Sequence, residues 1–343
     1  MTHRNRLLVL LAAVLALGCV AGAAVWRASD RAAAKDRVQA GGPAVRPGEV
    51  TLSPGAGPQR RIVFRNMAWG PHRDQLASVP AGAPGGARTA SDVRCLRFYA
   101  AAGTGVCLQS VKGGVQESYR AVVLDAQLKE RSRHPLAGIP TRARVSPSGR
   151  FVAWTVFVGG DSYAGTNFST RASVLDTRTG KLVPTLEEFT IKKDGRDYRS
   201  ADANFWGVTF SRDDRHFYAT LGTKGKTYLV RGDLAERTVT TLRENVECPS
   251  LSPDETRIAF KKRVPGLSAD APWRLYVLDL ADLSDRPTAE QRNIDDQAVW
   301  SDDHTLAYAL PGDFGADLYQ VPSDGSGRPT RLMDSALAPS WIG

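Results

Sequence analysis

The residues that could do chemistry are few and regularly placed. Carboxylates recur in short polar turns: Asp213 in FSRDDRHFYAT (Phe210–Thr220), Asp254 in LSPDETRIAFK (Leu251–Lys261), and Asp302 or Asp303 in WSDDHTLAYAL (Trp300–Leu310). A carboxylate repeated in this way could hold a cation or serve acid–base catalysis. In a turn it has a simpler task. It accepts backbone N–H bonds, while Pro147 and Pro253 preset the first dihedral of their turns. These aspartates are read as caps and not as catalytic groups. His3, His72, His134, His216 and His304 are scattered, and the cysteines lack zinc-ligand spacing, so neither a metal nor a cofactor is expected. No Gly-x-Ser-x-Gly pentapeptide is present to form the nucleophile elbow of an α/β-hydrolase.

Cysteine is informative for another reason. Cys95 and Cys107 flank LRFYAAAGTGV, two strand-like runs around a Gly-containing turn. If the chain turns near Ala101–Thr104, the two residues fall opposite each other on adjacent strands, within bridging distance. The alternative is a pair of buried free thiols. A bridge implies an oxidising compartment outside the cytoplasm. Cys248 is left unpaired and is expected to lie buried in a strand.

The N-terminus carries the targeting information. MTHRNR (residues 1–6) is a basic leader, and Leu7 to Trp26 is a 20-residue run without a charge, about the length that spans a bilayer core. It can stay as an anchor, which is the favoured reading. It can be cleaved after Ala21-Gly22-Ala23, or lipidated at Cys19, where LALGC loosely resembles a lipoprotein box. Residues 27–59 are rich in Ala, Gly and Pro and read as a linker, leaving 60–343 as the globular domain. Residues 1–59 hold seven Lys/Arg against three Asp/Glu, and the whole 343-residue chain is +9. That charge is too diffuse to indicate nucleic-acid binding.

The acidic turns belong to a larger repeat. VSPSGRFVAWT (Val145–Thr155) opens the series, and the serines at 146, 211, 252 and 301 start each unit. Every hairpin is followed by a second strand pair, as in RASVLDTRTGKLVPT, KTYLVRGDLAERTVTTL, WRLYVLDLADLSDRPT and ADLYQVPSDGSGRPTRL. Four antiparallel strands repeated at this spacing predict a β-propeller. APSWIG (Ala338–Gly343) matches QAVWS (Gln297–Ser301) and supplies the inner strand that the N-terminal unit lacks. The predicted fold is therefore all-β, six blades closed by pairing the chain ends: 60–90 with 337–343, then 94–136, 141–190, 204–243, 247–290 and 295–333.

Blades of the form LSPDETRIAF…LYVLDL resemble the repeats of TolB-like six-bladed propellers, also found in prolyl-oligopeptidase-type enzymes, over residues 60–343. The Ala, Gly and Arg usage resembles that of high-GC actinobacteria. The resemblance implies an extracytoplasmic, non-enzymatic module that binds a protein or peptide, here held at the membrane by the N-terminal helix. A propeller hydrolase or lyase acting on an envelope peptide or glycan is the alternative. Strand order indicates the binding face. Loops between second and third strands share one face with the links between blades, opposite the Ser-Pro-Asp turns. The longest insertions on that face, Gly159–Thr170 and Thr190–Asn204, bring Tyr163, Phe168 and Tyr198 beside Lys192, Lys193, Arg196 and Arg199. Aromatic and basic residues together are the usual anchors of a protein interface, so these seven are the expected partner contacts, near blades three and four.

Overall fold

Each turn folds as its chemistry requires. Asp213 Oδ1 accepts the N–H groups of Arg215 and His216 at 2.9 and 2.8 Å, and Asp254 Oδ1 accepts that of Thr256 at 3.1 Å. In the last hairpin Asp302, rather than Asp303, caps His304 and Thr305, both at 2.8 Å. The turn serines close the loop from the other side, with Ser146 and Ser252 Oγ each accepting an N–H five residues on at 3.0 Å. The computed structural model that shows these contacts describes residues 2–38, 40–54, 59–111, 117–164 and 168–343.

The hairpins build six blades, antiparallel apart from two added outer strands. Blade 2 is Arg97–Ala101, Thr104–Val111, Ser118–Leu124 and Glu130–Leu136; blade 3 runs from Ile139–Val145 to Leu182–Val183. Blade 4 starts at Asn204–Phe210, blade 5 at Glu247–Leu251 and blade 6 at Val299–Trp300. Blade 1 takes its innermost strand from the C-terminus. Ala336–Ile342 pairs antiparallel with Arg61–Asn66, from Arg61 opposite Ile342 to Asn66 opposite Ala336. From blade 1 round to blade 6 the innermost strands touch in order, and blade 6 meets Ala336–Ile342 through its second and third strands, Thr305–Gly312 and Gly315–Pro322, so the ring is closed as expected.

Among the described residues, six apolar clusters lie between the blades, one per neighbouring pair. Blades 3 and 4, for example, are joined by Phe151, Phe205, Phe210 and Phe217. Close approach fixes at least one residue type. Gly207 has φ +65°, and a Cβ there would come within 2.7 Å of the Cys248 Cα on the next blade. Only glycine meets both demands. Cys248 itself is buried in its strand, as expected.

Three details differ from the sequence reading. Cys95 and Cys107 are bridged, with Cα atoms 5.3 Å apart, but they are not opposite each other across a hairpin. Phe98 stands opposite Cys107, and Cys95 lies in the link after blade 1, so the bridge ties that link to the second strand of blade 2. Thr190–Lys193 pairs parallel with Thr238–Thr240, and Arg196–Tyr198 adds outside it, so this insertion extends the rim of blade 4 and does not complete blade 3.

The third difference concerns residues 27–59. Within this segment Gln39 and residues 55–58 lie outside the described residues. The N-terminal helix runs from His3 to Asp36, past the apolar run, and is long and apolar enough to cross a membrane. Val45–Pro47 then adds to blade 1 as a parallel outer strand. Val50 and Leu52 follow into the core between blades 1 and 2, and the Leu52 N–H donates to the Ala126 carbonyl at 2.7 Å. Low average hydropathy hid two well-placed apolar side chains. The segment is a clamp more than a spacer.

Removing residues 336–343 should therefore destabilise all six blades, seen as a large fall in melting temperature. A chain starting at residue 42 should melt like the full chain. One starting at residue 60 should lose about 3–6 kcal/mol, the burial of Val50 and Leu52. Equal melting of the two would contradict the clamp.

The turns also set an acid limit. Burial opposes the Asp213 charge, but hydrogen bonds from the His216 and Arg215 N–H groups and the His216 ring outweigh it, holding the carboxyl at about 2. Asp202 is held at about 2 by the Ser200 hydroxyl, the Lys224 N–H and the Thr223 hydroxyl. A carboxyl lower in the folded state stabilises fully above its unfolded value near 4, and that contribution is lost as pH falls through the folded value. Stability should fall between pH 4 and pH 2, and Asp213→Asn should flatten that slope in acid denaturation curves. An unchanged slope would contradict the capping account.

Candidate functional site at the channel mouth

The inner strand of blade 3, IPTRARV, alternates with period two. Ala143 and Val145 enter the core against blade 2, and Arg142 and Arg144 take the opposite face, toward the ring axis. Both arginines reach across the ring to blade 6. Arg142 Nη2 donates to the Asp295 carbonyl at 2.5 Å, and Arg144 Nη2 to the Ala298 carbonyl at 2.8 Å. Their guanidinium groups also cover aromatic rings, Arg142 over Tyr163 at 4.9 Å and Arg144 over Tyr99 at 4.6 Å. The channel is thereby filled, leaving about 20 Å³ between Arg97, Arg142, Arg144 and Gln297, room for one water.

A second layer supports the first. Lys261 is 1% exposed, lies 3.9 Å from the centre of the Trp273 ring, and pairs with Asp295 Oδ1 at 2.7 Å. Glu247, wholly buried, accepts from Arg263 Nε at 2.8 Å and Trp273 Nε1 at 3.0 Å. Arg97 completes the set, 3.6 Å from Asp296. Four cations thus face two carboxylates on the axis, besides the paired Glu247 and Arg263. Burial lowers the Arg97 and Arg144 guanidinium groups below their usual value, with Asp296 opposing at both. Burial would raise Asp295, but Lys261, Arg142 and Arg97 override it and hold that carboxyl low.

Above this plug, on the face of the blade links, the mouth opens into a cavity of about 530 Å³. Arg97, Arg142, Arg292, Asp295 and Asp296 form its charged floor and side, and Leu310, Pro311 and Ala316 an apolar wall. Trp69 and Phe314, from the loops of blades 1 and 6, meet edge to face at 5.2 Å. A larger groove of about 980 Å³ runs between blades 1 and 2 beside the disulfide, and two of its carboxylates are paired locally, Asp74 with Arg65 and Glu130 with Arg133. Among the described residues no group of His, Cys, Asp and Glu is placed to hold a metal ion.

The expected partner contacts fare unequally. Tyr163 is 2% exposed and cannot anchor a partner. Its ring packs with Phe157, Phe168 and Trp206, and its hydroxyl bonds Thr141 at 2.8 Å, so the aromatic residues of this loop fill their own core. Residues 165–167 of the loop lie outside the described residues. Phe168 is half-buried in the same cluster. Tyr198 is also half-buried, its hydroxyl 2.9 Å from Thr223 Oγ1. Lys192 is paired with Asp197 and Lys193 with Asp194, while Arg196 and Arg199 stand exposed on the rim of blade 4. These residues do not converge on one site. The mouth lies instead against blades 1 and 6, on the same face. Its residues left a signal in TRARV, two arginines on one side of an inner strand, and in the acidic pair of NIDDQAVW.

No protein-family model matches the chain, and no curated protein sequence does. Solved structures are similar in fold. TolB from Acinetobacter baumannii superposes with a TM-score of 0.55 at 17% identity, over 84% of this chain and 68% of that one. A chain of a nidogen/laminin complex gives 0.53 at 10% identity, over 83% and 98%. A puromycin-hydrolysing peptidase from Mycobacterium tuberculosis gives 0.48 at 15%, over 85% and 46%. At these identities the likeness of the first two is to the propeller alone.

Tyr163→Ala should remove a packed ring from the core and cost about 3–5 kcal/mol, as loss of a buried Phe does. Chemical denaturation measures it. A neutral effect would return Tyr163 to the surface.

Proposed function

We propose that this chain is a non-enzymatic binding module, held outside the cytoplasm by its N-terminal helix, that presents the channel mouth to a protein or peptide partner. The observation that carries this reading is the cavity of about 530 Å³, of ligand-pocket size, closed below by Arg142 and Arg144 and bordered by apolar side chains. Chemistry favours binding over turnover. A general base is best poised near neutral pH, yet Asp295 is held low by three cations. A hydrolase or lyase of an envelope peptide or glycan remains the second reading, favoured by no group in the mouth.

Two features support the location. The disulfide fits an oxidising compartment. The helix ends beside the mouth face, where the Gly70 N–H, in the loop between the second and third strands of blade 1, donates to the Lys35 carbonyl at 2.9 Å. A helix retained in the membrane would turn this face toward the bilayer. Cleavage after Ala23 or lipidation at Cys19 would leave the clamp intact.

Site-specific cross-linking tests the face. With a photo-reactive phenylalanine analogue replacing Phe314, at the mouth, or Arg328, in an exposed turn opposite, cross-links to a membrane-fraction partner should form from position 314. Cross-links from position 328 alone would assign the partner to the other face, and release of a modified product from envelope peptides or glycans would support the enzyme reading.

A further inference from the structure

We propose that the channel mouth is a carboxylate-binding site, in which Arg97 and Arg142 together take the C-terminal carboxylate of a peptide and its last side chain packs on Leu310, Pro311 and Ala316. The inference rests on the binding-module reading and names the ligand chemistry.

Three observations lead to it. First, the axis carries Arg97, Arg142, Arg144 and Lys261 against Asp295 and Asp296, a surplus of positive charge in which Arg142, Arg144 and Lys261 are buried and Arg97 is partly open to the cavity. Desolvated charge of one sign is costly unless a counter-charge arrives. Second, the donors facing the cavity are incompletely used. Arg142 is 6% exposed, and its Nε has no hydrogen-bond partner. The Arg97 guanidinium makes no hydrogen bond among the described residues, and its contact with Asp296, at 3.6 Å, is too long for one. Arg97 can offer a free fork of N–H groups to a carboxylate, the geometry arginine serves best, and Arg142 the second N–H of each Nη beside its bonds to the Thr141 and Asp295 carbonyls. Third, the cavity is two-sided, with guanidinium groups on the floor and an apolar wall above. A bare oxyanion would use only the floor. A peptide ending in an apolar residue uses both, and the closed channel beneath admits a chain end in preference to a passing strand.

The test is retention on the immobilised full-length protein, in detergent, of two pooled random pentapeptide libraries, one with free C-terminal carboxylates and one amidated, read by mass spectrometry. Free acids should be retained at least about tenfold over amides, with apolar last residues enriched. Arg97→Gln should abolish that preference at an unchanged melting temperature, since the Arg97 guanidinium has no hydrogen bond to lose. Arg142→Gln should do the same, with its melting temperature measured alongside. Arg212→Gln, on the opposite face, should not. Equal retention of acids and amides would overturn the carboxylate site and leave peptide binding standing. Retention of neither library would overturn both. Competition by inorganic phosphate as strong as by free acids, or retention through Arg97 of phosphatidylglycerol in mixed detergent micelles but no peptide, would overturn the assignment in favour of a bare oxyanion or a lipid headgroup.

Discussion

The seam between Arg61–Asn66 and Ala336–Ile342 is the interaction on which the rest depends. It is formed by chain ends at least 270 residues apart, and until it forms blade 1 has no inner strand. The clusters that flank blade 1 on both sides then lack a wall, because Ile342 belongs to one and Ala336 and Leu337 to the other. A buried arginine reinforces the junction. Arg88 donates to Asn66 Oδ1 at 2.7 Å and to the Ser335 carbonyl at 2.9 Å, and burial lowers its guanidinium to about 10. Closing the ring also removes two sheet edges that would otherwise be open to other chains.

Closure brings the axis into existence, and the axis is where the structure departs from an apolar core. Arg142 and Arg144 leave blade 3 and end on carbonyls of the blade 5–6 link and blade 6. Charge placed there is expensive, and the surroundings reduce the cost without removing it. Tyr99, Tyr163 and Trp273 offer ring faces, and Asp295 and Asp296 offer opposite charge. Hydrophobic side chains could have filled this space more cheaply. Their replacement by partly unpaired cations beneath an open cavity is a reason to look for function at this end of the ring. The opposite mouth, among the Ser-Pro-Asp turns, spends Asp213, Asp254 and Asp302 on capping its own backbone.

The fold was legible because its signals are local and repeat. A turn such as SPDE states its own geometry, and four copies state the architecture. The seam could be read from the match of Trp341 to Trp300. What escaped were features made by distant pieces meeting. Val50 and Leu52 sit alone in an Ala/Gly/Pro-rich stretch, and nothing nearby marks the groove that receives them. Tyr163 looked like a surface anchor because its neighbours in sequence are polar, while its neighbours in space are Phe157, Phe168 and Trp206. The mouth combines Arg97, Arg142, Asp295 and Asp296 from three separate inner positions, so it could be found only once the blades were in a ring.

The central claim is that ligand meets this chain at the arginine-floored mouth. Hydrogen–deuterium exchange on the full chain, with and without the free-acid peptides, tests it most directly. Exchange should slow in residues 67–74, 292–297 and 310–316, around the mouth, with the turns at 146–150, 211–215 and 252–256 unchanged. Protection confined to those turns would contradict it.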